Sequence, residues 1–193
     1  AKENVLEQYP DFDLTIIDSK SASIGFGLLV SKLVTMLENG APKEVLIEAA
    51  DYFISHIHHV FTVHTLAYLI KGGRLSKFKG TIAETLDMKP ILIVDKAGSL
   101  QVLKTVRGRK KSLKALIDYA KSNGYELSNQ TLAFCHGEDN DALEFLLALA
   151  DDELKPNNKL ISTVGCAIGA HTGRGIVGLC FLDAGEDKYQ EYL

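Results

Sequence analysis

Short runs rich in β-branched residues alternate along this chain with segments whose apolar residues recur every three or four positions. That alternation points to a layered α/β fold. LTIID (14–18) reads as a strand, and Ser19, Ser21 and Ser23 follow as candidate caps for a helix through Leu28, Leu29, Leu33, Val34 and Leu37, ended by Asn39-Gly40. Pro42 suits the first position of a second helix, with Glu44 in its first turn and Val45, Leu46 and Ala49 inward. VFTV (60–63) reads as a strand leading into the helix TLAYLIK. Near residue 65 the chain changes character. KGGRLSKFKG (71–80) predicts a turn and then a helix to about Asp87, and PILIVD (90–95) with SLQVLKTV (99–106) predicts a hairpin across Ala97-Gly98. Residues 109–122 form an amphipathic helix pattern, 131–136 a strand, and 139–150 an apolar helix capped by Asp139 or Asn140. Residues 159–169 and 175–183 read as two further strands. The part beyond residue 65 is therefore expected to be an α/β sandwich.

At 193 residues the chain is long enough for one domain, or one domain and part of another. Its 46% hydrophobic and 24% charged residues exclude a disordered tail. No apolar stretch approaches bilayer length and no signal-type segment opens the sequence, so a soluble cytoplasmic protein is expected. A net charge of −4 gives no global attraction to nucleic acid or anionic lipid, and the absence of Trp removes the usual platform for bases or sugars. Cys135, Cys166 and Cys180 sit in apolar surroundings and read as buried free thiols. AKENVLEQYP resembles the last turns of a helix closed by Pro10, so the chain is expected to lack an N-terminal portion.

Four elements could carry chemistry. In Lys71-Gly72-Gly73-Arg74-Leu75-Ser76, paired glycines let amides converge on an anion and Arg74 adds a planar charged fork; a helix C-cap with a surface Arg is the alternative. In Gly169-Ala170-His171-Thr172-Gly173-Arg174-Gly175, set between two strands, an imidazole and a hydroxyl could face one acceptor; a solvated loop is the alternative. Between Lys104 and Lys121 seven basic residues face only Asp118, which fits either a docking patch for an anionic partner or a solvated helix face. His56 and His59 stand at i, i+3, where a helix could bring both to a metal, but no cysteine is local and a surface helix end is the simpler reading. No P-loop, dinucleotide loop or nucleophile elbow occurs.

The segment FTVHTLAYLIKGGRLSKFKGTIAETLDMKPILIVDKAGSLQVLKTVRGRKKSLKALI resembles the centre of the DegV family of bacterial fatty-acid-binding proteins, with its "tLxYLkkGGRis" turn, "lLxikPIL" strand and "RgrkKa" helix start. IGAHTGRGIVGLCF is similar to the family's "iGxHxGPGaxgixf" ending, with Arg174 in place of the proline, and DLTIIDSKSASIGFGLLV to its "vxviDSxxxSxGxGxlv" segment. The resemblance spans residues 12–182. It implies a two-domain DegV-like fold, in which residues 1–64 are the remainder of an N-terminal α/β domain and 65–193 the C-terminal α/β sandwich domain. It further implies a non-enzymatic carrier that buries a long-chain fatty acid between its domains and presents the carboxylate to a fatty acid kinase subunit for phospholipid synthesis. His171, Arg74, Gly169 and Thr172 then become the ligand-binding residues, and Arg107, Arg109 and Lys110 the docking residues. The family's hydroxyl grip on the carboxylate belongs to an N-terminal "TSqxSGTy" region that this sequence does not contain, so the chain alone is expected to bind poorly. No cofactor beyond the fatty acid, no metal, no nucleic acid and at most transient membrane contact are expected. The competing reading is a phosphotransferase subunit using the Lys71–Ser76 turn and His171 for phosphate.

Overall fold

The computed structural model describes residues 2–75 and 87–193. A short helix α1 (Lys2–Gln8) precedes an extended, largely exposed stretch, after which come α2 (Ser23–Glu38) and α3 (Lys43–His56). Helix α3 passes without a loop into β1 (Ile57–Thr62), which leads to α4 (Ala67–Lys71). The hairpin β2 (Met88–Val94) and β3 (Leu100–Arg107) follows, then α5 (Arg109–Asn123), β4 (Thr131–His136), α6 (Asn140–Glu153), β5 (Asn158–Thr163), α7 (Cys166–Thr172) and β6 (Val177–Leu182). The strands form one sheet in the order β3-β2-β1-β6-β4-β5, antiparallel throughout except for the β4–β5 pair. Parallel β4 and β5 need a crossover, and α6 supplies it. The helix expected up to Asp87 lies outside the described residues for most of its length.

Helices cover both sides of the sheet. On one side, Leu113, Leu116 and Ile117 of α5 and Leu143 and Leu146 of α6 pack against Val60, Leu132, Phe134, Val177, Leu179 and Phe181 in a continuous core. On the other, Ile24 and Leu28 of α2 meet Ala133, Cys135 and Cys180, while Leu66 and Leu69 around α4 meet Leu92 and Ile176. The expected division at 64/65 passes through this sheet, since β1 lies between β2 and β6.

The structure corrects several expectations. Cys166 is exposed, unlike the buried Cys135 and Cys180. Residues 14–18 have no sheet partner among the described residues, with Ile16 and Ile17 exposed; a strand-forming composition needs a neighbouring edge, and these residues have none. No serine caps α2: its N-cap is Ala22, and Ser21 turns instead to His59. The strand expected over 159–169 stops at Thr163, and residues 166–172 coil into α7, so His171 ends a helix rather than sitting in a turn between strands. The hairpin, the amphipathic α5 and the Asp139 cap all form as the pattern predicts. Asp139 Oδ1 accepts from the Ala142 N–H at 3.2 Å. Among the described residues no helix is long and apolar enough to cross a membrane.

Candidate functional site

Between α2 and the α4–α7 pair, the second side of the sheet is left open as a cavity of about 380 Å³. Its floor is made by small residues: Gly178 and Cys180 on β6 and Cys135 on β4. The register explains this, because Cys135 pairs with Gly178 and Ala133 with Cys180. A Cβ on Gly178 would fall 3.1 Å from Cys135 Sγ, so the floor is as low as the strands allow. Apolar walls come from Ile24, Phe61, Leu69, Leu100, Ile168 and Ile176. Burial pushes the Cys135 thiol up to about 11, so it stays protonated and contributes as a small apolar group.

His171 and Arg74 both line this cavity. His171 lies in the last turn of α7, which Gly173 stops with a left-handed φ of 73°. Tyr68 covers that glycine so closely that a Cβ there would come 2.7 Å from its ring. On the facing helix, a Cβ on Gly72 would stand 2.2 Å from His171 Nδ1. The second glycine of Lys71-Gly72-Gly73-Arg74 is thus the φ-positive residue just past the helix C-cap, and the first, the C-cap itself, makes room for the imidazole. His171 Nδ1 is buried with no hydrogen-bond partner among the described residues, a condition that costs about 1–3 kcal/mol unless a bound polar group satisfies it. Arg74 is exposed at the cavity rim and donates from Nη1 to the Gly72 carbonyl at 2.7 Å, leaving most of its donors free to turn inward.

Other expected site features are not assembled. The amides of residues 72–75 are all spent on α4 carbonyls, at Tyr68, Ile70 and Leu69, so they form a helix end and not an anion cradle; Ser76 lies outside the described residues. Gly169 does not line the cavity, and its N–H donates to Gly165 O within α7. Thr172 does line it, but its hydroxyl donates to Ile168 O at 3.0 Å, as a helical Thr commonly does. Among the described residues no cluster could hold a metal, and the i, i+3 helical spacing of His56 and His59 is broken because α3 ends at His56. His56 and His58 instead grip the two oxygens of Asp183 at 2.6 and 2.7 Å.

In the basic segment the structure separates the three expected docking residues. Arg107 and Lys110 are exposed, Lys110 lying 5.5 Å from the Phe145 ring centroid. Arg109 is turned into the molecule, where Nη2 donates to Asp139 Oδ2 and to the Gly175 carbonyl, both at 2.6 Å. It pins the loop after α7 to the start of α6, so it is a structural residue and not an exposed contact. Lys114 and Lys121 converge on Glu153, which removes part of the expected positive surface.

One cavity residue was not foreseen. His59 lines the wall, half-buried, with Nε2 hydrogen-bonded to Ser21 Oγ at 2.6 Å. Burial, and to a smaller degree the neighbouring His58, holds its imidazole down at about 4. The readable signal was the alternation in IHHVFT, which sends His58 and His59 to opposite sides of a strand.

A family model described as "Uncharacterised protein, DegV family" matches residues 1–184. A DegV domain-containing protein of Clostridium perfringens is 34% identical over 182 residues, covering 94% of this chain and 62% of its own length. One from Caldanaerobacter subterraneus subsp. tengcongensis is 33% identical over 168 residues, covering 87% and 60%. The chain thus spans about three-fifths of the length of these curated relatives. Among solved structures, a fat acid (stearic acid)-binding protein from Eubacterium ventriosum superposes with TM-score 0.81 at 28% identity, over 98% of this chain and 64% of that one. A fatty acid binding DegV family protein from Streptococcus agalactiae gives TM-score 0.79 at 28% identity, over 95% and 64%. The fatty acid kinase B3 protein of Streptococcus pneumoniae, loaded with linoleic acid, gives 0.86 at 25%, over 95% and 65%.

Proposed function

The chain belongs to the DegV family, and from that premise we propose that its cavity holds the alkyl chain of a long-chain fatty acid with the carboxylate at the His171 and Arg74 end. The observation that carries this reading is the buried, unpartnered His171 Nδ1 at the edge of an otherwise apolar cavity. A fatty acid is one long apolar body with one polar end, and it matches that division of the surface. Burying about 14 methylenes is worth up to roughly 11 kcal/mol before the costs of association. The carboxylate needs donors, because leaving it buried without them costs several kcal/mol. An imidazole N–H at His171 and the guanidinium of Arg74 are suitable donors.

The stearic acid-binding protein of Eubacterium ventriosum and the Streptococcus pneumoniae protein loaded with linoleic acid support the same reading. In this proposal the chain performs no bond-making of its own. It carries the acid and presents the carboxylate to a separate fatty acid kinase, with exposed Arg107 and Lys110 as the docking residues. The chain's own binding is tested by organic extraction and mass spectrometry of the purified protein, with titration of a fluorescent fatty acid. At most about one long-chain acid per chain, displaced by the probe and held more weakly than by a relative of the family's full length, is expected; no extracted acid together with no titration would overturn it. Docking is tested by Arg107→Ala with Lys110→Ala, which should leave fatty-acid binding intact while lowering acyl-phosphate formation by the kinase. That loss should be largest at low salt and shrink toward physiological salt, where the steering these two cations supply is screened over about 8 Å. Unchanged turnover in the double variant would make the patch a solvated face.

A further inference from the structure

A second cavity, of about 210 Å³, adjoins the first. The ladder between β1 and β2 begins at the Val60–Ile93 pair, so the strands part before it. The second cavity sits in that notch, with apolar walls from Ile54, Ile57, Ile93 and Val94. His59 lines both cavities. Its ring is wedged rather than loosely placed. Ser21 holds Nε2 at 2.6 Å, and a Cβ on Gly25 of α2 would fall 2.0 Å from that same nitrogen.

The partition stands far from the polar end of the site. Thr62 pairs with Val177, immediately after the loop from α7, whereas His59 pairs with Cys180. His59 is therefore three residues further along the strand, about 10 Å away at the usual rise. A carboxylate at His171 leaves the alkyl chain running over Gly178 and Cys180 toward His59.

We propose that His59, locked by Ser21, is the stop that sets the longest acyl chain the site accepts, and that the cavity behind it is space a longer chain would enter if the ring were removed. This rests on the reading of the first cavity as an acyl site. The imidazole suits the task because burial keeps it neutral at physiological pH, so it can close an apolar channel without placing a charge there. A hydrogen-bonded ring is also a harder wall than an alkyl side chain, which could rotate aside. Truncating Ser21 should loosen the stop, and truncating His59 should remove it.

The test is competition by a series of saturated fatty acids of increasing length against a fluorescent fatty acid, on the full chain. For the unaltered protein, affinity should rise about fourfold per added methylene and then level off at one length. In His59→Ala the rise should continue for several further carbons, the longest acids gaining more than about tenfold over the unaltered protein while the shortest change by less than about twofold. Ser21→Ala keeps the ring and frees it, so its break should move the same way by fewer carbons; it decides the matter should His59→Ala fail to fold. A break at the same length in the unaltered protein and in the folded variants overturns the stop and leaves the acyl site standing. Affinity that does not rise with length in the unaltered protein overturns the acyl site itself, and the stop with it.

Discussion

The two sides of the sheet are built from the same strands yet end in opposite states. On β6, Val177, Leu179 and Phe181 enter the core under α5 and α6, while the intervening Gly178 and Cys180 floor the cavity. On β4, Leu132 and Phe134 face the closed side, and Ala133 and Cys135 the open one. Residue size therefore alternates with the pleat, large to one side and small to the other. Interiors pack to crystal-like density, so such an imbalance leaves space unless a helix dips to fill it, and α2 and the α4–α7 pair stand too far apart to do so. The cavity is therefore written into alternate strand positions, not into a loop.

Neighbouring residues on β4 break this comparison most directly. Phe134 is fully buried in the closed core, and Phe134→Ala should cost about 3–5 kcal/mol in urea unfolding. Cys135→Ala, one residue along and facing the cavity, should cost about 1 kcal/mol or less, because it enlarges a space that already exists. Similar losses at the two positions would show that the open side is packed as tightly as the closed one.

Much of the closed side was legible in the sequence. Leu113, Leu116, Ile117 and Ala120 follow the helical period, and Ala97-Gly98 marks the hairpin, because such signals are local. The open side was legible mainly through the resemblance that marked His171 and Arg74. His59 was hidden because a histidine run beside a helix reads as a solvated end, and its partner Ser21 is 38 residues away. Helix α7 was hidden because seven residues give less than two turns of periodicity, and Val164 and Ile168 extend the look of a strand. In the sequence Arg109 is indistinguishable from its exposed neighbours, since no spacing rule shows which charge of Arg107-Gly108-Arg109 turns inward; its partners, Asp139 and Gly175, are 30 and 66 residues distant.

Arg109 also joins the two sides. Its guanidinium starts at α5, on the closed side, and holds the loop that follows α7 on the open one. Arg109→Ala should therefore cost about 1.5–3 kcal/mol of stability, as hydrogen bonds to a charged group do. Exposed Arg107→Ala should stay within about 0.5 kcal/mol. Urea midpoints for the two variants check this, and equal values would mean that the contact from Arg109 to Asp139 and Gly175 holds nothing.

A pair of histidines sharpens the contrast at the ligand. His136 ends β4, and its Nδ1 already accepts from the Asp139 N–H at 3.3 Å. His171 Nδ1 has no partner among the described residues. His171→Ala should speed fatty-acid dissociation by roughly tenfold or more, the worth of one hydrogen bond to a charged group at about 1.5–3 kcal/mol. His136→Ala should leave the dissociation rate nearly unchanged. Equal rates in the two variants would remove His171 from the site.

The smallest expected effect comes from His58 and His59, adjacent on β1 and facing opposite sides. His58 stacks on Phe181 at 5.4 Å and meets Asp183, whose carboxyl is raised by burial but lowered more by its bonds to His56 and His58, so it ends below its ordinary value. His59, on the cavity side, is held down at about 4 by burial. A histidine whose folded value lies below its unfolded one, about 6.5, contributes stability above pH 6.5 and loses it as pH falls toward 4, because the unfolded chain takes up the proton first. A depressed carboxylate loses its contribution in a lower window, beginning near pH 4. Stability should then fall by about 1 kcal/mol between pH 7 and pH 5.5 through His59 alone. His59→Gln should flatten that part of the profile, and Asp183→Asn should leave its slope in place while altering the profile below pH 4. Urea unfolding across pH 3.5–7.5 separates the two windows. His64, also held below its ordinary value chiefly by burial, keeps its own part of that slope. A slope between pH 7 and 5.5 as steep in His59→Gln as in the unaltered protein would therefore show that the cavity-side ring is not kept neutral by burial.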